Sequence, residues 1–272
     1  MQGRLSPLVE GRIQAFPWTC WQEEFPAAQQ NGFALMEWTL DQDRLYDNPL
    51  LTAAGQAEIS RLCRKRGLQV ASLTGDCFMQ SPFWKVPDAQ RTQLLQDFRA
   101  VARACSAVGI RMMVLPLVDN GRLETRAQED LLVRLLKAEA ALLKELHVKV
   151  VFESDFVPSE LARFMERLNP DFFGVNYDIG NSASLGMSPE EEISAYGHRI
   201  VNVHIKDRVL GGTTVPLETG NADFEAVFSA LARARYSGNY ILQTARAGDG
   251  DHAGALRRYR GMATAWITRY GA

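Results

Sequence analysis

The sequence predicts an α/β fold, a (β/α)8 or TIM barrel that occupies residues 1–272 as a single domain. The 272 residues match the ~250 that such a barrel requires, and 46% of them are hydrophobic, which is enough for a large core. Short apolar runs, typical of parallel strands buried on both faces, alternate with longer amphipathic segments. Seven runs are predicted as strands: residues 34–40, 69–74, 112–118, 149–152, 173–177, 200–205 and 240–243.

The segments between these runs are predicted as helices. Residues 91–108 and 127–146 each place apolar side chains on one stripe at helical spacing. Glycines such as Gly67 and Gly109 stand directly before the next strand, where they suit the left-handed position that ends a helix. An eighth, very short strand is expected at residues 1–5. A doubly wound open sheet is the competing architecture, but no glycine-rich phosphate loop opens the first helix.

Composition and charge exclude several classes of function. The net charge of −2 gives no basic excess for binding a nucleic-acid backbone, and no stretch approaches the ~18 consecutive apolar residues of a membrane span. The four cysteines form no CxxC pair, and no apolar signal segment opens the chain. We therefore expect a cytoplasmic protein that has neither a nucleic acid nor a membrane as its partner.

A polar residue ends each of the last four predicted strands. These residues are Glu153, Asp178, His204 and Gln243, which lie 25, 26 and 39 residues apart in the sequence. The carboxyl ends of the strands of a (β/α)8 barrel surround its active site, so the four side chains are expected to meet there. Their oxygen and nitrogen atoms suit Mn²⁺, Mg²⁺, Co²⁺ or Zn²⁺. The sequence therefore predicts one divalent metal ion.

The segments around these residues resemble a known family. They read MQGRLS, FALMEWTLD, DIGNSAS, VHIKD and VPLETGNADF. Together they resemble the xylose-isomerase-like TIM barrels, and most of all the branch of L-ribulose-5-phosphate 3-epimerases and hexulose-6-phosphate isomerases. The resemblance implies that Glu153, Asp178, His204 and the residue of the eighth strand bind the metal, and that the substrate is a small sugar or sugar phosphate.

The sequence departs from this family in three places. Gln243 stands where the family usually has a glutamate. The loop GDCFMQSPFWK carries Lys85 as its one cation, whereas the epimerases have histidine and arginine there. The chain also begins inside what would be the first strand of the family, which leaves open a native start upstream of Met1.

Other polar residues at the predicted strand ends are candidates for the substrate pocket. Glu37 has two interpretations, a bond to a substrate hydroxyl or a pairing with a cation inside the barrel. Lys206 is expected to act in catalysis or to hold a sugar oxygen or phosphate. Strand alternation is taken to point Tyr177 and Asn202 away from the metal residues. The predicted substrate-binding residues are Glu37, Trp38, Asp207 and Arg246.

These features predict a metal-dependent isomerase or epimerase of a small ketose or aldose, free or phosphorylated. Glu153 is the expected base. It abstracts a proton next to a carbonyl, and the metal holds the enediolate that results. Epimerisation usually takes acid–base groups on both faces of a carbon, and the amide of Gln243 cannot move a proton, so both reactions stay open. The alternative is a non-catalytic sugar or metal binder that has lost its second carboxylate. The oligomeric state also stays open, with a homo-oligomer among the alternatives.

Overall fold

Seven parallel strands form a nearly closed barrel in the computed structural model, which describes residues 1–2 and 5–271. All seven predicted strands are confirmed, and each neighbours the next along the chain. The barrel strands are β1 (Leu35–Thr39), β2 (Gln69–Thr74), β3 (Met112–Leu117), β4 (Lys149–Ser154), β5 (Phe173–Asp178), β6 (Ile200–Ile205) and β9 (Asn239–Leu242). A small antiparallel hairpin of β7 (Asp207–Arg208) and β8 (Thr214–Val215) lies between β6 and β9 in the chain.

The expected eighth strand is present in reduced form. The segment of Met1 and Gln2 lies between β1 and β9. Gln2 forms a parallel bridge with Glu37, and its backbone N–H donates to the carbonyl of Leu242 at 3.1 Å. The rest of the predicted strand includes residues 3 and 4, which lie outside the described residues. Because this segment is bonded to both edge strands, it links them into a nearly closed barrel, and the competing open-sheet architecture is wrong.

Helices surround the barrel, and the two predicted at residues 91–108 and 127–146 end as expected but begin at Asp88 and Arg126. Thr125 caps the helix at 126–146 by accepting from the backbone N–H of Gln128 at 3.2 Å, and Gly109 ends the helix at 88–108 with a φ of 86°. None of the helices in the described ranges has the length and apolar character needed to cross a membrane. The helices are α1 (Glu24–Gln30), α2 (Ala53–Arg66), α3 (Asp76–Gln80), α4 (Asp88–Val108), α5 (Arg126–Leu146), α6 (Pro158–Glu166), α7 (Ile179–Ser184), α8 (Pro189–Tyr196), α9 (Phe224–Arg233) and α10 (His252–Tyr270).

Strand alternation divides the side chains between an apolar outer layer and a polar barrel interior. Phe152 packs outward against Phe164 of α6, while Glu153 of the same strand joins the polar interior. Tyr177 also faces outward, as expected, and bonds Glu192 of α8 at 3.0 Å. The expectation for Asn202 is wrong. It lies two residues before His204 and therefore shares its inward face.

Candidate metal and substrate site

Three of the predicted metal residues meet at the carboxyl ends of β4, β5 and β6. Glu153, Asp178 and His204 each offer one ligand atom, and these atoms lie within 4.8 Å of one another. The register of the barrel brings them together, because Asp178 pairs directly with His204 across the adjacent strands. His204 Nδ1 lies 3.4 Å from Glu153 Oε2 and 3.8 Å from Asp178 Oδ2. All three residues are buried.

Glu37 orients the imidazole of His204 from inside the barrel. His204 Nε2 lies 2.9 Å from Glu37 Oε1, and the hydroxyls of Ser72 and Thr74 each donate to the same carboxylate at 2.6 Å. The amide of Asn176 lies 3.1 Å from His204 Nδ1. An amide N–H can only donate, so these neighbours select the tautomer with hydrogen on Nε2 and a lone pair on Nδ1. That lone pair is directed toward the two metal carboxylates.

The carboxylates around His204 attract a positive charge, which either a proton on the imidazole or a metal ion at Nδ1 would supply. Burial alone would lower the pKa of His204, but the surrounding carboxylates raise it well above its ordinary value. Burial would raise the pKa of Glu37, but the charge and hydrogen bond of His204, with two neighbouring hydroxyls, bring it down to about 2. The pKa of Asp178 is lowered as well, because Lys206 and His204 outweigh its burial. The interior thus holds ionised carboxylates that a cation can neutralise.

This donor set fits a divalent metal. Two carboxylates and one imidazole nitrogen suit Mn²⁺, Mg²⁺, Co²⁺ or Zn²⁺, and three protein ligands leave coordination positions free, as catalytic metal sites require. The bond from His204 Nε2 to a buried carboxylate is the support that metal-ligating histidines commonly have. Within the described part of the chain, no other group of three such side chains comes as close together.

Gln243 reaches this cluster through Lys206 rather than directly. The Lys206 ammonium donates to Gln243 Oε1 at 2.9 Å, to Asp178 Oδ2 at 3.1 Å and to Asn181 Oδ1 at 3.3 Å. The predicted ligand atom of Gln243 is therefore bonded to a cation that also holds a metal carboxylate. Lys206, predicted as a catalytic residue, lies at the centre of the site.

A pocket of about 510 Å³ opens above the cluster at the mouth of the barrel. Glu153, Lys206 and Gln243 line its floor together with Asn181. Asn181 donates to Glu153 Oε1 at 2.6 Å, and its own oxygen accepts from Arg208 at 2.8 Å. The pocket therefore joins the cluster to groups that can bind the hydroxyls and carbonyl of a small polar ligand.

The sequence reasoning missed Asn176 and Asn181, which hold both oxygens of Glu153. Asn176 donates to Glu153 Oε2 at 3.1 Å. A signal was present in each case. Asn176 lies two residues before Asp178 and so shares its face, and Asn181 belongs to the quoted segment DIGNSAS.

Two further side chains at the pocket lie outside the barrel strands. Asp76, the first residue of α3, accepts from Gln14 Nε2 at 2.5 Å. Gln14 in turn accepts from Gln243 Nε2 at 3.3 Å. Burial raises the pKa of Asp76 to about 7, and the charges of Asp41 and Glu153 add to this effect. No periodic pattern in the sequence indicated either Gln14 or Asp76.

The remaining predicted substrate residues have other contacts in the structure. Glu37 pairs with His204, which is the second of its two interpretations. Trp38 is buried against Phe16 and Trp21, outside the pocket. Asp207 is fully buried and accepts from the backbone N–H groups of residues 219, 220 and 222 at 2.8–3.1 Å, so it fixes the loop after β8.

Arg246 also lies outside the residues that line the pocket. It donates to the carbonyls of Ser6 at 2.6 Å and Ile13 at 3.2 Å. It therefore holds the N-terminal loop instead of lining the pocket.

Comparison with known proteins gives relatives that match most of this chain. L-ribulose-5-phosphate 3-epimerase UlaE of Shigella flexneri serotype 5b (strain 8401) is 26% identical over 241 residues, with 82% of each chain covered. UlaE of Salmonella heidelberg (strain SL476) is 27% identical over 238 residues, with the same coverage. Both relatives are named for epimerising a sugar phosphate.

Solved structures show the same fold at lower identity. An L-ribulose 3-epimerase superimposes with a TM-score of 0.74 at 16% identity and covers 93% of this chain and 90% of its own. The IOLI protein, solved with a bound zinc atom, has a TM-score of 0.74 at 16% identity, with coverages of 92% and 93%. The family model described as Xylose isomerase-like TIM barrel matches residues 25–262. Since this match spans most of a chain that closes into the same barrel, the protein belongs to the xylose isomerase-like TIM barrel family.

Proposed function

We propose that the protein is a divalent-metal-dependent epimerase of a small ketose or ketose phosphate. The observation that carries the proposal is the orientation of His204, whose Nδ1 faces Glu153 and Asp178 because Glu37 holds Nε2 at 2.9 Å. The names of the relatives, which are sugar-phosphate 3-epimerases, support the same reaction class.

Glu153, Asp178 and His204 are the residues that would hold the metal. A divalent ion there would stabilise the negative charge that develops on sugar oxygens when a neighbouring C–H bond loses its proton. The zinc atom in the IOLI structure supports a divalent ion in this fold. The choice among Mn²⁺, Mg²⁺, Co²⁺ and Zn²⁺ is left to experiment.

Glu153 is the base in this proposal. Its carboxylate lines the pocket, and the amides of Asn176 and Asn181 fix both of its oxygens at 3.1 and 2.6 Å. Such a fixed carboxylate can take a proton from a carbon next to a carbonyl in one defined direction. Lys206 lies beside it and can donate a hydrogen bond to the substrate oxygen on which charge develops.

Aldose–ketose isomerisation is the second candidate, and Gln243 is the observation in its favour. Its amide stands where a second carboxylate would serve epimerisation, and isomerisation can proceed with one base. A non-catalytic sugar binder has no comparable support, because the carboxylates and histidine of the cluster are all in place.

A substrate panel with isotope exchange tests the function. Wild-type protein is loaded with each of the four metals and incubated in D₂O with pentuloses and hexuloses, free and phosphorylated. We expect an epimer that carries deuterium at the inverted carbon. An aldose product would favour the isomerase, and a ligand-induced thermal shift without exchange or product would contradict both reactions.

Variants of two glutamates test the base. We expect Glu153→Gln to lower exchange and turnover by at least ~100-fold, whereas Glu166→Gln, an exposed glutamate of α6, should match the wild type. Metal content measured in His204→Ala should fall strongly. Full metal occupancy in that variant, or wild-type exchange in Glu153→Gln, would refute the assignment.

A further inference from the structure

The proposed epimerisation requires a second acid–base group, and the following inference rests on that proposed function. Glu153 serves one face of the reacting carbon, so the proton on the opposite face has to come from another group. Gln243 follows β9 at the floor of the pocket, but a carboxamide neither gives nor takes a proton at neutral pH. The second group therefore comes from elsewhere in the pocket.

Among the described residues, few of the titratable side chains that line the pocket can serve as the second acid–base group. The arginines stay protonated. Asp155 is ion-paired with an arginine at 2.5 Å, and Asp119 is exposed in the turn after β3. Lys206 is bonded to three acceptors at 2.9–3.3 Å. Asp76 has one side-chain hydrogen bond in the described structure, from Gln14.

Asp76 and Glu153 lie at the two ends of one chain of hydrogen bonds along the pocket, whose intermediate residues are Asn181, Lys206, Gln243 and Gln14. Glu153 lies on β4 and is held from the side of β5 and α7 by two asparagines. Asp76 follows β2 and is held through Gln14, which connects it to Gln243 at the end of β9. Both carboxylates line the pocket, so one ligand can contact Asp76 from the side of β2 and Glu153 from the side of β4.

We propose that Asp76 is the second acid–base group, which returns the proton to the face opposite Glu153. Glu153 takes the C–H proton, the C–H electron pair forms the C=C bond of an enediolate, and the carbonyl pair moves to oxygen. The carbonyl then re-forms while the C=C pair takes the proton of the Asp76 carboxylic acid. Water removes the proton from Glu153 and supplies one to Asp76, so the enzyme returns to its first state.

The protonation state of Asp76 agrees with this role. Burial raises its pKa to about 7, against the hydrogen bond from Gln14, while the charges of Asp41 and Glu153 add to the rise and that of Lys206 opposes it. Near neutral pH both the acid and the carboxylate are then populated. A group of this kind can donate a proton in one direction of the reaction and accept it in the other.

The test separates proton removal from inversion. Wild type, Asp76→Asn, Asp76→Glu and the control Asp171→Asn are incubated in D₂O with the ketose that the wild type epimerises. We expect Asp76→Asn to lose at least ~100-fold in epimer formation but to keep deuterium exchange into unreacted substrate within a few-fold. Asp76→Glu should restore part of the inversion. Asp171 is exposed in the turn before β5 and lies outside the pocket lining, so its variant should match the wild type.

The possible results test the role of Asp76 and the proposed epimerase function separately. Epimer formation that persists in Asp76→Asn would overturn the role of Asp76 while leaving the proposed function intact. Equal loss of exchange and inversion, without rescue by glutamate, would show a structural role and would also overturn it. A wild type that neither exchanges nor converts any ketose would refute the proposed function itself.

Discussion

Replacing Glu37 by glutamine should weaken metal binding by ~10–100-fold, although Glu37 is not a ligand. The change keeps the size of the side chain and replaces one buried carboxylate oxygen by an amide N–H₂ group. Glu37 is 2% exposed, and its partner His204 is fully buried, so water cannot replace what is lost. The expected loss corresponds to about 1.4–2.7 kcal/mol of binding free energy.

The magnitude follows from the neighbours of the carboxylate, which all donate to it. His204 Nε2 lies 2.9 Å from one oxygen, and Ser72 and Thr74 donate at 2.6 Å each. Thr74 also accepts from Gln2 at 2.6 Å, so its hydrogen stays directed at Glu37. An amide N–H₂ that faces His204 selects the tautomer with hydrogen on Nδ1, which blocks the metal. In the opposite orientation the tautomer survives, but His204 loses a charged acceptor.

Calorimetric titration of Mn²⁺ and Zn²⁺ into the metal-free protein measures this effect. Ser72→Ala is the matched control, because it removes one hydrogen bond to Glu37 but leaves the carboxylate in place, and we expect its affinity within a few-fold of wild type. Circular dichroism checks that both variants fold. If Glu37→Gln bound metal as tightly as the wild type, His204 would not depend on Glu37 for its tautomer.

Three other substitutions test separate parts of the structure. Lys206→Met removes the cation bonded to Asp178, so calorimetry should show unchanged or tighter metal binding while steady-state turnover falls at least ~100-fold. Trp38→Phe removes an indole N–H that donates to Asn48 at 3.1 Å, so urea denaturation should show a loss of about 1–2 kcal/mol in unfolding free energy, and a raised KM would place Trp38 in the pocket after all. A hydrogen bond from Arg163 lowers the pKa of Glu129 to about 2. The stabilisation that ionised Glu129 gives the fold is complete above the ordinary pKa of a glutamate and is lost as the pH falls through about 2. Glu129→Gln should therefore lower the free energy of unfolding by about 2 kcal/mol at pH 7 and leave it unchanged below about pH 2.

The sequence was informative wherever one regular pattern determined position. Parallel strands buried on both faces produce short apolar runs, so all seven strands were located to within a few residues. The last residues of such strands share one edge of the barrel, so the sequence alone predicts that Glu153, Asp178 and His204 lie together.

The same pattern carried information that was not used. Glu37 and Trp38 are consecutive in one strand and point to opposite faces, so the two residues could not share a pocket. The pairing of Glu37 with His204 joins residues 167 positions apart and depends on closure of the barrel. Residues outside the strands are harder still, because Gln14 and Asp76 meet across 62 residues and no periodic pattern sets their spacing.

The structure also changes how the missing glutamate of β9 is understood. If that position were the sole place for a second acid–base group, glutamine there would limit the site to one-face chemistry. Yet every strand of a closed barrel delivers its following loop to the same mouth, so a group lost from one strand can be supplied by another. Gln243 is hydrogen-bonded to Gln14, and Gln14 to Asp76, at 3.3 and 2.5 Å. Through Gln14, the amide of Gln243 therefore positions Asp76. Asp76 is the carboxylate that we propose acts in place of the missing glutamate. On this view Gln243→Glu would not add a missing function. It would place an acceptor against Gln14 Oε1, turn that amide and disturb Asp76, so inversion should fall rather than rise.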